Sequence, residues 1–103
     1  MKAIEIAKEL YRKFGENFEL DLLFFKKNGY IIETDDSFWM FRRHPDRSDC
    51  WAIQMAVGNL SVWETIMPFP LPYMAWARGS KGKGIRFRRT NHFIKTVKKL
   101  GKK

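Results

Sequence analysis

Apolar side chains recur at Ile4, Ala7, Tyr11 and Phe14, with Ala3, Ile6 and Leu10 widening the stripe and Gly15 ending it. That 3.6-residue period predicts a helix over 2–14. Asn17 is placed to cap a second helix, with Glu19 and Asp21 in its first turn, Lys26 and Lys27 in its last and Gly29 just beyond, an order that complements the helix dipole. A strand running into an Asn28-Gly29 turn competes with this. The helix is preferred because no Val, Ile or Thr occurs between residues 18 and 28.

After Gly29 the pattern turns to β-rich runs. Tyr30 to Thr34 and Phe38 to Arg43 flank the polar turn Asp35-Asp36-Ser37, which reads as a hairpin. In the second run Trp39, Phe41 and Arg43 share one face and Phe38, Met40 and Arg42 the other, so neither face is wholly polar. This implies a sheet covered on one side and shielded or used on the other. His44 to Asp49 reads as a loop, and Cys50 to Val57 as an uncharged, central third strand. Gly58-Asn59 breaks that strand, and Ser61-Val62-Trp63-Glu64 fits a capping box opening a short helix at about 60–66.

Pro68, Pro70 and Pro72 then impose an extended crossing, since proline lacks the amide hydrogen and disfavours helix before it. Tyr73 to Arg78 reads as a fourth strand, Gly79 to Gly84 as a loop and Ile85 to Arg89 as a fifth strand. Thr90 or Asn91 is placed to cap a last helix that turns Phe93, Val97 and Leu100 inward. The expected fold is a single α+β domain over 1–103. It has a mostly antiparallel four- or five-stranded sheet, with two N-terminal helices and a basic C-terminal helix on one face.

Charge changes this picture. The chain carries 20 Lys and Arg against 11 Asp and Glu, a formal net charge of +9. Arg78, Lys81, Lys83, Arg86, Arg88, Arg89, Lys95, Lys98, Lys99, Lys102 and Lys103 all fall within residues 78–103, where there is no Asp or Glu. Residues 1–77 are therefore slightly acidic. A concentrated positive field attracts polyanions over about 8 Å at physiological salt. A purely solubilising tail is the plainer alternative, but Ile85, Phe87, Phe93, Ile94, Val97 and Leu100 are threaded through the charges at spacings suited to burial.

Candidate chemistry elsewhere is thin. No apolar run approaches the roughly 18 residues needed to span a bilayer, and the start is amphipathic rather than signal-like, so a cytoplasmic protein without membrane attachment is expected. Cys50 is the one cysteine; it opens an apolar strand, where a buried inert thiol is the ordinary outcome. Asp35, Asp36, His44, Asp46, Asp49 and Cys50 contain the ingredients of a thiol–imidazole or metal site, but the carboxylates fall in turns that they serve by capping. His92 sits in the first turn of the expected basic helix, suited to phosphate contact more than to catalysis. No catalytic residue, metal or cofactor is expected from these patterns.

The glycine-rich loop suggests phosphate binding by backbone amides, yet it fails the specific motifs. Lys and Ser or Thr do not follow Gly84, and Phe87 stands where a dinucleotide fingerprint starting at Gly82 needs glycine. The nearest match is the Arg-x-x-Gly-x-Gly pyrophosphate loop of GNAT acetyltransferases, from which Arg78 to Gly82 differs by one extra residue. That loop also opens directly into a helix, whereas Ile85 to Arg89 alternates like a strand. Similarity to that family would imply a GNAT-like acyl-CoA-binding fragment.

The leading expectation is a small non-enzymatic protein engaging nucleic acid or a ribonucleoprotein. The contacts expected are Arg78, Lys81, Lys83, Arg86, Arg88 and Arg89 of a basic hairpin and Lys95, Lys98 and Lys99 of the helix. Trp39, Phe41, Trp76 and Phe87 are candidate stacking platforms because Arg42, Arg43, Arg78, Arg86 and Arg88 flank them. The alternative is an interaction or inhibitor protein of phage or mobile-element type, docking the same basic surface on an acidic protein.

Overall fold

A computed structural model describes residues 1–77 and 85–89. Arg78, the loop residues 79–84 and the expected C-terminal helix lie outside the described residues. The elements in chain order are α1 (Ala3–Lys13), α2 (Phe18–Asn28), β1 (Tyr30–Glu33), β2 (Ser37–His44), β3 (Arg47–Gly58), a 3₁₀ turn (Leu60–Val62), α3 (Trp63–Ile66), β4 (Tyr73–Ala77) and β5 (Ile85–Arg89).

The five strands form one sheet in the order β1-β2-β3-β4-β5. It is mixed, not the mostly antiparallel sheet expected, because β3 and β4 run parallel. The cause lies in residues 59–72. A crossing of a dozen or more residues is long enough to carry the chain back to the end of the sheet where β3 began.

The alternation read in β2 holds, and each face has its own apolar cluster. On one, Phe38 and Met40 pack with Ala3, Ala7 and Tyr11 of α1 and Phe18 and Phe25 of α2. On the other, Trp39 and Phe41 pack with Trp51, Ile53, Met74 and Trp63, under the partly buried Leu60, Ile66, Met67, Phe69 and Leu71 of the crossing segment. Trp39 and Trp63 stack at 4.7 Å between ring centroids, and Phe41 meets Trp63 edge-on at 5.0 Å. Both faces are thus covered: helices α1 and α2 share one, and the crossing with α3 takes the other.

Local chemistry explains the element ends. The Asn17 side chain accepts the Leu20 amide at 3.1 Å, the N-cap expected of it. Ser61 does not play that part: Asn59 caps the 3₁₀ turn, its Oδ1 accepting the Ser61 amide at 3.2 Å and the Ser61 hydroxyl at 2.6 Å. Residues 44–49 are likewise not a loop. His44 pairs with Arg47 across a two-residue turn of Pro45 and Asp46, and β3 starts at Arg47. Between Met40 and Phe41 of β2 the facing strand β3 carries one extra residue, Gln54, which makes a bulge.

Candidate functional site

The site grows from a row of residues in register across four strands. Arg42 on β2 faces Ala52 on β3, Ala52 faces Ala75 on β4, and Ala75 faces Phe87 on β5. Register partners lie on one side of a sheet, and here it is the side on which α1 packs over β2 and β3 and α2 over β1 and β2. Two consecutive alanines in that row leave a hollow beyond the edge of the helices. A cavity of about 310 Å³ occupies it, lined by Phe25, Arg42, His44, Pro45, Asp46, Ala52, Ile53, Gln54, Ala75 and Trp76.

Two of its polar side chains are held by neighbours. The Arg42 guanidinium lies 5.0 Å from the centroid of the Phe24 ring on α2, a cation–π contact, and is half-buried. It has no carboxylate within ion-pair distance among the described residues. Gln54 donates to the helical layer: its Nε2 lies 3.3 Å from the Tyr11 hydroxyl and 3.3 Å from Asp21 Oδ2. Tyr11 in turn donates to Asp21 Oδ2 at 2.7 Å. Burial first, and that carboxylate second, push the Tyr11 phenol well above its ordinary range.

The hairpin tip places three arginines on three rings. Besides Arg42, Arg43 stands 4.9 Å from the Phe69 ring and Arg47 4.6 Å from the Tyr73 ring. Arg47 also pairs with Asp49 at 3.3 Å, which raises the guanidinium pKa. The His44 Nδ1 accepts the Asp46 amide at 3.1 Å, so the ring proton of that tautomer resides on Nε2.

The residues singled out from sequence are redistributed. Trp39 and Phe41 are fully buried and cannot present a ring to a base; the alternation that put them beside Arg42 and Arg43 also puts them in the core under α3. Trp76 is half-buried and pairs with Ile53, so its ring packs against the cluster under α3, on the face opposite Ala75. Arg86, Arg88 and Arg89 are brought onto β5, with Arg86 opposite Trp76, Arg88 opposite Met74 and Arg89 opposite Tyr73. Arg78, Lys81, Lys83, Lys95, Lys98, Lys99 and His92 lie outside the described residues.

The acidic stretch does not form a centre. Asp36 serves a turn, its carbonyl accepting the Asn59 amide at 2.7 Å, and Cys50 is buried with its thiol pKa raised by burial. Among the described residues no three His, Cys, Asp or Glu converge on a metal-sized site. No helix of the described residues is long and apolar enough to cross a membrane.

Gln54, Ala52 and Ala75 were not singled out as site residues. Small residues recur in both strands, and the partnership of Ala52 with Ala75 depends on the parallel register of β3 and β4. Comparison with protein-family models, with curated proteins and with solved structures finds no match for this chain.

Proposed function

We propose that this protein is a non-enzymatic binding module that engages nucleic acid, free or within a ribonucleoprotein, through its basic C-terminal quarter. The observation that carries this is the place of β5. Residues 78–103 hold eleven basic side chains and no acidic one, and Ile85–Arg89 within them forms the outer strand of the sheet, hydrogen-bonded to β4. A solubilising tail has no need of a strand register. Arg86 and Arg88 are alternate residues on that strand, about 6.6–6.8 Å apart along its backbone.

Phosphate contacts of this kind supply affinity without sequence information. The GNAT-like reading loses its local support, because a strand stands at 85–89 where that motif opens a helix.

The test is fluorescence anisotropy of a labelled mixed-sequence single-stranded oligonucleotide titrated with the full chain and with the Arg86→Gln/Arg88→Gln variant at about 50–100 mM salt. Binding by the parent, and its loss or marked weakening in the variant, is the expected result. No binding by the parent would overturn the proposal and turn attention to an acidic protein partner.

A further inference from the structure

We infer that Arg43, near the tip of the β2–β3 hairpin, is a phosphate contact of the same surface as β5, so that a bound strand crosses the sheet from β5 toward β2. The inference rests on the nucleic-acid reading above and extends its contacts beyond the C-terminal quarter.

Register comes first. Arg43 on β2 pairs with Trp51 on β3, Trp51 with Met74 on β4, and Met74 with Arg88 on β5. One row of the sheet thus has an arginine position at each end. Its two inner members, Trp51 and Met74, are fully buried in the cluster under α3, which identifies the face to which the row belongs. Three interstrand steps of about 4.8 Å put the backbone positions of Arg43 and Arg88 about 14 Å apart. The path between them runs across the strands, not along β5.

Exposure and charge come next. Phe69 of the crossing segment lies 4.8 Å from the Trp51 ring and 4.9 Å from the Arg43 guanidinium, centroid distances that join the three in a chain. Trp51 is buried, Phe69 half-buried and Arg43 exposed, so the ring supports the guanidinium at the surface and does not cover it. Arg43 has no carboxylate within ion-pair distance among the described residues, and Asp49 of the same hairpin is paired with Arg47. A cation–π contact orients the planar fork of donors without supplying an anion, which leaves the fork for a phosphate. Arg42, one residue earlier, is turned to the other face by the alternation and rests on Phe24 of α2.

The experiment measures affinity against salt concentration for a labelled mixed-sequence single-stranded oligonucleotide. It compares the full chain with Arg43→Gln, Arg88→Gln and Lys27→Gln, the last removing an exposed cation of the helical layer. Arg43→Gln and Arg88→Gln should each weaken binding by about fivefold and lower the magnitude of the salt slope by about 0.7. Lys27→Gln should leave both near the parent values.

If Arg43→Gln binds as the parent does while Arg88→Gln is weakened, the inference falls and the reading of β5 stands. If Lys27→Gln loses as much as Arg43→Gln, a diffuse field replaces the site. If the parent binds no strand, both readings fall. Should Arg43→Gln fail to fold, arginine modification of the parent by phenylglyoxal, with and without the oligonucleotide, decides. Protection of Arg43 by the bound strand supports the inference, and unchanged reactivity of Arg43 overturns it.

Discussion

The side-chain amide nitrogen of Gln54 lies 3.3 Å from the Tyr11 hydroxyl and joins the bulge of β3 to α1 across 43 positions of sequence. Both groups also share Asp21 Oδ2, so one carboxylate on α2 ties α1, α2 and β3 together. The bond from Tyr11 to Asp21 is charge-assisted and belongs to the stronger class of side-chain hydrogen bonds.

Tyr11→Phe removes that donor and leaves Asp21 and Gln54 with one partner fewer. A loss of about 2 kcal/mol in urea unfolding at neutral pH is expected. The phenol is held neutral by burial and by Asp21, so its folded pKa lies above its ordinary 10.0. Its contribution is therefore complete below pH 10 and is lost as pH rises from there toward the folded value. The stability gap between parent and Tyr11→Phe should be flat up to about pH 9 and shrink above 10. A gap that widened with alkalinity would contradict this.

Gly58 and Gly15 both have positive φ, +88° and +68°, but only Gly58 is crowded. A methyl group there would collide with the carbonyl oxygen of Asp36, which also accepts the Asn59 amide. Gly15 faces open space. Gly15→Ala should cost about 1–2 kcal/mol, the left-handed strain alone, and Gly58→Ala distinctly more, because the Asp36 backbone must move as well. Equal melting-temperature losses for the two variants would show that the close approach at Gly58 is not held in solution.

Cys50 is fully buried, and its thiol donates to the Trp51 carbonyl at a long 3.5 Å. Cys50→Ser should lower stability by about 1–2 kcal/mol, since a hydroxyl loses more on leaving water than a thiol does. Nucleic-acid affinity should stay unchanged in that variant. A folded Cys50→Ser chain that no longer bound its ligand would assign the thiol a role that its burial argues against.

Helices and strands were largely legible because their signals are local. Ile4, Ala7 and Tyr11 mark α1, Asn17 marks the start of α2, and the alternation of Phe38 to Phe41 marks a two-faced strand. Relationships across the chain were not legible in the same way. Trp39 and Phe41 beside Arg42 and Arg43 look like a stacking surface until α3 and Trp63 cover them. The hairpin turn at Pro45-Asp46 was hidden because its polar residues read as loop, while the pairing of His44 with Arg47 closes it. The row of Arg42, Ala52 and Ala75 exists only because β4 returns parallel to β3, and no periodicity within either strand encodes that direction.

The most direct measurement is affinity for a single-stranded oligonucleotide against salt concentration. It should compare the parent, the loop variant Lys81→Ala/Lys83→Ala and the triple variant Lys95→Ala/Lys98→Ala/Lys99→Ala. If the segment between β4 and β5 is the principal phosphate contact, the loop variant loses two contacts and the magnitude of its log–log salt slope falls by about 1.4. The triple variant should then change the slope by less. Equal losses in the two variants would indicate a diffuse cationic surface, and absence of binding by the parent at about 50–100 mM salt would contradict nucleic-acid recognition altogether.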